Sequence, residues 1–231
     1  LDSKELVFHP QKRGVLDHGA YYAQKTQLDA KGNRILWGWI TEKRPDSQLI
    51  AAGWAGCMAL PRILSLASDD TLEMSFTREI KSLYRVPASL KSGYLLAPDA
   101  PAVKIEGIKL EGLAFELAWA STRNPWSFTL SDSVGAWLSV GFSPADSSAR
   151  IKVNEAVFDI PLVSTNWHRF QMIVDGSVVE TICNRREALT LREYRKPTGP
   201  LTLTTHALDR AGFLWGEAWQ LKPISTDRLT T

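Results

Sequence analysis

The chain has 231 residues, 44% hydrophobic and 23% charged, a globular composition with enough apolar material for a sizeable core. Its 27 basic and 25 acidic residues leave a net charge of +2, without the concentrated basic face that nucleic-acid binding needs, and no run approaches the roughly 18 apolar residues of a membrane helix. Two cysteines, Cys57 and Cys183, exclude a disulfide framework, and four scattered histidines lack metal-ligand spacing, whereas nine tryptophans offer either core volume or flat faces for stacking on sugar rings.

The whole chain reads as β. Short apolar runs recur at intervals of about ten residues, separated by Gly, Pro, Asn, Asp and Ser. Residues 21–28 and 34–41 are two runs of strand formers around Asp29-Ala30-Lys31-Gly32-Asn33, a hairpin signal with Gly and Asn available for a turn at positive φ. Asp17-His18-Gly19 stands at its entry. A second hairpin is predicted over 56–76, with strands at 63–66 and 72–76 around Ser68-Asp69-Asp70, and residues 77–93 read as a connector. Beyond Tyr94 a regular series follows: GLAFELAWA, WSFTLSD, GAWLSVGF, ARIKVN, EAVFDIPL, WHRFQMIVD, SVVETICN, EALTLREY, GPLTLTTHA and GEAWQLKPI. WHRFQMIVD and SVVETICN, joined through Gly176, are the clearest pair: Phe170, Met172 and Val174 share one face of the first, Val178 and Glu180 one face of the second. About ten strands over some 140 residues predict two packed antiparallel sheets, with no helix of three turns. The first 76 residues bury too little to stand alone and look like the last part of a larger sheet assembly, as an interrupted propeller would.

Four stretches carry a resemblance. They are DHGAYYAQKT (17–26), RILWGWI (34–40), GWAGCMALPR (53–62) and DGSVVETICN (175–184), and their order and spacing resemble those of the β-fructosidases of glycoside hydrolase family 32, the clan of invertases, levanases, inulinases and fructan exohydrolases. The resemblance implies an all-β fold: the end of a five-bladed β-propeller (residues 1–86) followed by a C-terminal antiparallel β-sandwich (87–231). It also implies retaining hydrolysis of β-fructofuranosyl bonds by an Asp nucleophile in Asn-Asp-Pro-Asn, a second Asp in Arg-Asp-Pro and a Glu acid/base in Glu-Cys. None of these motifs occurs here, and by the family's layout all three precede Leu1. Retaining chemistry needs two carboxyls roughly 5 Å apart with opposite protonation. The chain alone is therefore expected to have no catalytic residue and no activity.

The expected sugar contacts are Asp17, Tyr22 and Trp54. Asp17 lies by resemblance near the sugar funnel, where a carboxylate accepts two hydroxyl bonds; otherwise it caps a turn. His18 would share that rim only by departing from strand alternation, and Ala20 stands where some family members carry Lys, which removes a contact. Tyr22, aligned with the family's Tyr before Ala, is the tyrosine expected to face the funnel. Trp37 and Trp39 share a face that reads as packing between blades. Trp54, beside Gly53 and near Gly56, reads as an exposed or mobile indole fit for stacking on sugar. Asp175 and Glu180 read as hairpin residues, with Glu180 exposed opposite a partner such as Arg185 or Arg186. Trp119, Trp126, Trp137, Trp167, Trp215 and Trp219 read as interior or interface.

Two functions from different classes follow. One is the C-terminal part of a β-fructofuranosidase, its partners being sucrose, fructo-oligosaccharide or fructan and the missing N-terminal propeller segment. The other is a non-catalytic carbohydrate-binding or structural β-sandwich fragment. Neither calls for a cofactor, a metal, nucleic acid or a membrane, and a secreted or periplasmic location stands ahead of a cytoplasmic one.

Overall fold

The computed structural model describes residues 4, 6–7, 9–85, 108–162, 167–207 and 213–224. The fold is all-β, with sixteen strands, one short α-helix and one 3-10 helix among these residues. The expected domain boundary at 86/87 and the start of the strand series at Tyr94 lie outside them.

The N-terminal sheet contains β1 (Tyr21–Leu28), β2 (Arg34–Ile40), β3 (Cys57–Met58), β4 (Arg62–Leu66) and β5 (Leu72–Phe76), in the order β1-β2-β4-β5 with β3 also on β2. Its first turn forms for local reasons. Asp29 Oδ1 accepts from the Lys31 and Asn33 amides at 2.8 Å each, and Gly32 takes the left-handed φ of 80° that a side chain would resist. Between Tyr22 and Lys25 the β1–β2 register shifts, with Ala23 at φ 54°. The helix α1 (Asp46–Ala52) follows Pro45 and stops at Gly53, whose φ of 74° lets its amide cap the last turn. No residue of α1 is buried, so no apolar stripe marks it in the sequence. A 3-10 helix (Arg78–Leu83) occupies the expected connector.

The remaining strands form two further antiparallel sheets. They are β6 (Ile108–Leu110), β7 (Ala114–Thr122), β8 (Trp126–Ser131), β9 (Ala136–Pro144), β10 (Ser148–Val153), β11 (Ala156–Pro161), β12 (Trp167–Asp175), β13 (Val178–Cys183), β14 (Glu187–Arg192), β15 (Leu201–Ala207) and β16 (Phe213–Gln220). A six-stranded outer sheet runs β11-β10-β9-β8-β15-β6, and a five-stranded central sheet runs β14-β13-β12-β7-β16. Between them lies one apolar interior. Phe115, Leu117, Trp119, Phe170, Met172, Val174, Leu189 and Leu191 from the central sheet meet Trp126, Phe128, Leu138, Val140, Phe142, Ile151 and Ile160 from the outer one. Trp119 stands edge-on to Trp126 at 5.6 Å and stacks on Phe170 at 5.0 Å, a geometry that aromatic quadrupoles favour.

The central sheet is covered on its other face as well. Ile173, Ile182 and Ala188 pack against Met74, Phe76 and Ile80, and Val178 packs with Tyr21, Leu36 and Ile40 of the N-terminal sheet. Strand β13 is accordingly buried at every position. Three layers result, with β13 and β14 in the middle one. Residues 18–20 complete the joint by running beside β14: the His18 amide donates to Ala188 O at 2.8 Å and the Ala20 amide to Thr190 O at 2.7 Å. Gly19 is required there, since a Cβ would fall 1.8 Å from Thr190 O.

Candidate functional site

The charged groups of the N-terminal layer converge where it meets the central sheet. Arg62, the first residue of β4, points from the sheet face shared with Leu64, Met74 and Phe76 into the joint, fully buried. Its Nη2 lies 2.9 Å from Glu180 Oε2, 2.9 Å from Asp17 Oδ2 and 2.8 Å from Thr190 Oγ1. The guanidinium stacks on the Tyr21 ring at 4.2 Å, while its Nε is buried with no hydrogen-bond partner. Burial disfavours the cation, but the Glu180 and Asp17 carboxylates more than offset this and push the Arg62 guanidinium up. Burial pushes Glu180 the other way from a free carboxylate: it is raised despite Arg62 and the Leu60 amide, which donates to Oε1 at 2.8 Å. Tyr21, desolvated in the same joint, is pushed up to about 12.

This geometry corrects two expectations. Asp17 is not an open hydroxyl acceptor. Oδ1 accepts from the Gly19 and Thr190 amides at 2.9 Å each, Oδ2 accepts from Thr190 Oγ1 at 2.7 Å and faces Arg62, and the side chain is 0% exposed. Its turn-capping role is present through Gly19, with an ion pair added. Glu180 is not an exposed partner of Arg185 or Arg186 either. It is 1% exposed, because the sheet that carries it is covered on both faces, and its partner is Arg62. Arg185 and Arg186 pair instead with Glu73 and Asp69 across the cleft beside residues 11–16.

Trp54 is held rather than free. It is half-buried, with the Arg44 guanidinium 4.6 Å and the Arg192 guanidinium 5.8 Å from its ring centre. Those two cations share Glu42 Oε2 at 2.8 and 3.3 Å, and Arg192 also donates to Tyr194 Oη and to Cys57 Sγ at 3.1 Å each. Burial competes with these donors, yet Glu42 is held below its ordinary value. The cost of moving the indole includes breaking up this group.

Tyr22 is the predicted contact that stays open, at 60% exposure. It lies opposite Trp39 in the β1–β2 ladder, and Trp39 lies opposite Met58 on β3. The three side chains therefore share one face, with Tyr22 edge-on to Trp39 at 6.4 Å and all three exposed. Trp37 is half-buried on that face. The indole of Trp39 needs Gly56 beneath it, where a Cβ would approach its Nε1 to 2.2 Å.

His18 turns from this face. Its Nε2 is 2.8 Å from Glu187 Oε2 and its ring stacks on Phe158 at 4.8 Å. Asp175 is exposed at the end of β12, as its hairpin position requires. Trp119, Trp126 and Trp137 are interior, Trp219 stacks on Tyr84 at 4.6 Å, and Trp167 is 43% exposed at the start of β12; the side chain of Trp215 lies outside the described residues. Both cysteines are free. Among the described residues no group of three or more His, Cys, Asp or Glu is placed to hold a metal, and no helix is long and apolar enough to cross a membrane.

Residues 1–75 match the family model described as the glycosyl hydrolases family 32 N-terminal domain. Over that stretch the chain is similar to glycoside hydrolase family 32. It is 42% identical over 72 residues, 30% of this chain and 12% of the relative, to a β-fructofuranosidase (insoluble isoenzyme 4) of Oryza sativa subsp. japonica. The fold is similar to that of the fructan 1-exohydrolase IIa of Cichorium intybus solved with 1-kestose, with a TM-score of 0.70 and 16% identity over 90% of this chain and 49% of that one. A β-fructofuranosidase variant of Bombyx mori solved with sucrose gives a TM-score of 0.72 and 20% identity over 96% and 45%. The chain thus spans less than half the length of these solved family 32 relatives.

Proposed function

We propose that this chain is the C-terminal part of a retaining β-fructofuranosidase that hydrolyses sucrose or fructans. Residues 1–86 complete a five-bladed propeller, and residues 87–231 form a sandwich behind it. The nucleophile, the second carboxylate and the acid/base belong to the N-terminal propeller segment, because Asp17 and Glu180 are engaged by Arg62 and the buried Glu116 by the Tyr84 hydroxyl and the Gln171 amide. One observation carries the reading: the N-terminal sheet has one face sealed against the central sheet, while its other face presents Tyr22, Trp39 and Met58 beside the exposed strand β1. That is the face a preceding blade would cover, and Tyr22 is the residue proposed to reach a bound sugar.

The test mixes this chain with the separately expressed portion of the rice relative that precedes its matched region. Fructose release from sucrose is then followed. The chain alone should release none and the mixture should; release by the chain alone would show that its own carboxylates suffice. Failure of the two parts to co-elute on a sizing column would sink the proposed interface.

A further inference from the structure

We propose that the joint between the N-terminal and central sheets is a proton-dependent clamp: the cluster of Asp17, Arg62 and Glu180 takes up one proton from solvent as pH falls, and the joint tightens when it does. The argument begins with charge. One guanidinium meets two carboxylates, all three side chains at most 1% exposed, so two negative charges face one positive charge in a site closed to bulk solvent. It continues with hydrogen atoms. Arg62 Nη2 has two to give and faces three oxygens, those of Asp17, Glu180 and Thr190.

The other titratable groups around the cluster come from β1, β3, β12 and β14. Tyr21 on β1 remains a phenol, being pushed up to about 12, and burial likewise pushes up the Cys57 thiol on β3. Arg192 on β14 is engaged by Glu42. Asp175, at the far end of β12, is exposed. From β5 only Met74 and Phe76 face inward. The two carboxylates differ in their support. Asp17 has three protein donors besides Arg62, whereas Glu180 has one, the Leu60 amide. Glu180 is therefore the group that takes the proton, leaving Arg62 and Asp17 as a neutral pair.

The sign follows from linkage. An acid whose folded value is raised binds its proton more tightly in the folded state, so the stabilisation is fully present below the ordinary glutamate value of about 4.3. It fades as pH rises through the raised folded value. Acid should therefore close this joint over a window where most buried ion pairs only weaken.

The experiment measures urea unfolding of the full chain from pH 5 to pH 8, for the wild type and for Glu180→Gln. One linked proton makes the wild-type unfolding constant rise by up to about tenfold per pH unit within the window. Glu180→Gln should flatten that rise. In parallel, amide protection at Leu60 and Thr190, corrected for intrinsic exchange, should fall with rising pH in the wild type and stay level in the variant. Parallel pH profiles for the two proteins would overturn the proposal. Should Glu180→Gln fail to fold, carboxyl-labelled glutamate decides by NMR in Glu116→Gln, which removes the other buried glutamate with a raised value: one resonance must still titrate above all the others, and a set titrating together would overturn the proposal.

Discussion

Strand β13 faces two buried surfaces that are held in different ways. Toward the outer sheet it presents Val179, Thr181 and Cys183 to a largely apolar interior. Toward the N-terminal sheet it presents Val178, Glu180 and Ile182, and a cation from another strand meets the glutamate. Apolar contact is non-directional and tolerates small slides. A guanidinium that must meet oxygens from the N-terminal segment, β13 and β14 together fixes position to a fraction of an ångström, at a cost in desolvation. The interior supplies bulk stability, and the joint supplies registry between layers.

The largest test of this contrast is Arg62→Met, which leaves two carboxylates buried without a cation. Breaking a buried pair costs about 3–5 kcal/mol, and the loss should be greater at pH 8 than at pH 5, where Glu180 escapes by protonation. Urea unfolding at the two pH values checks it, and an equal loss at both would erase the distinction between the faces. Next in size is Ile151→Val in the apolar interior. Removing one methylene should cost about 0.5–1.5 kcal/mol, with no difference between pH 5 and pH 8. Smallest is Tyr22→Ser on the open face, within about 0.5 kcal/mol because the side chain already meets water. Its effect should appear instead as weaker binding of a hydrophobic dye, and unchanged dye binding would mean that the Tyr22–Trp39–Met58 face is not the adherent surface.

Much of the strand pattern was legible because it is written in alternation. The span Tyr21–Leu28 appears as the sequence predicts, and so does the β12–β13 hairpin with Phe170, Met172 and Val174 turned to the interior. The helix α1 was not, since a two-turn helix with nothing buried leaves no period to detect. The charged joint was hidden for another reason. A hairpin read as having one wet face puts Glu180 in solvent, yet VVETIC carries apolar residues on both faces, Val178 and Ile182 on one and Val179 and Cys183 on the other, and marks a strand covered twice. Arg62 gave the complementary signal, a lone cation opening the apolar run RILSL. Two opposite charges, each isolated in an apolar strand, are candidates for one another. Asp17 carried a signal for capping and a signal for sugar, and only three-dimensional neighbours distinguish a carboxylate that is spent from one that is free.

The pairing of residues 18–20 with β14 also fixes an order of events. Asp17 and Thr190 are 173 residues apart, so the strands β1 to β5 leave the ribosome long before the surface they rest on exists. Contacts of that sequence separation form late, after the loop-closure entropy has been met by nearer ones. The N-terminal sheet is made first and seated last. In the interval the face that will pack on β13 and β14 is open to water, which makes this stretch a natural client of a chaperone during synthesis.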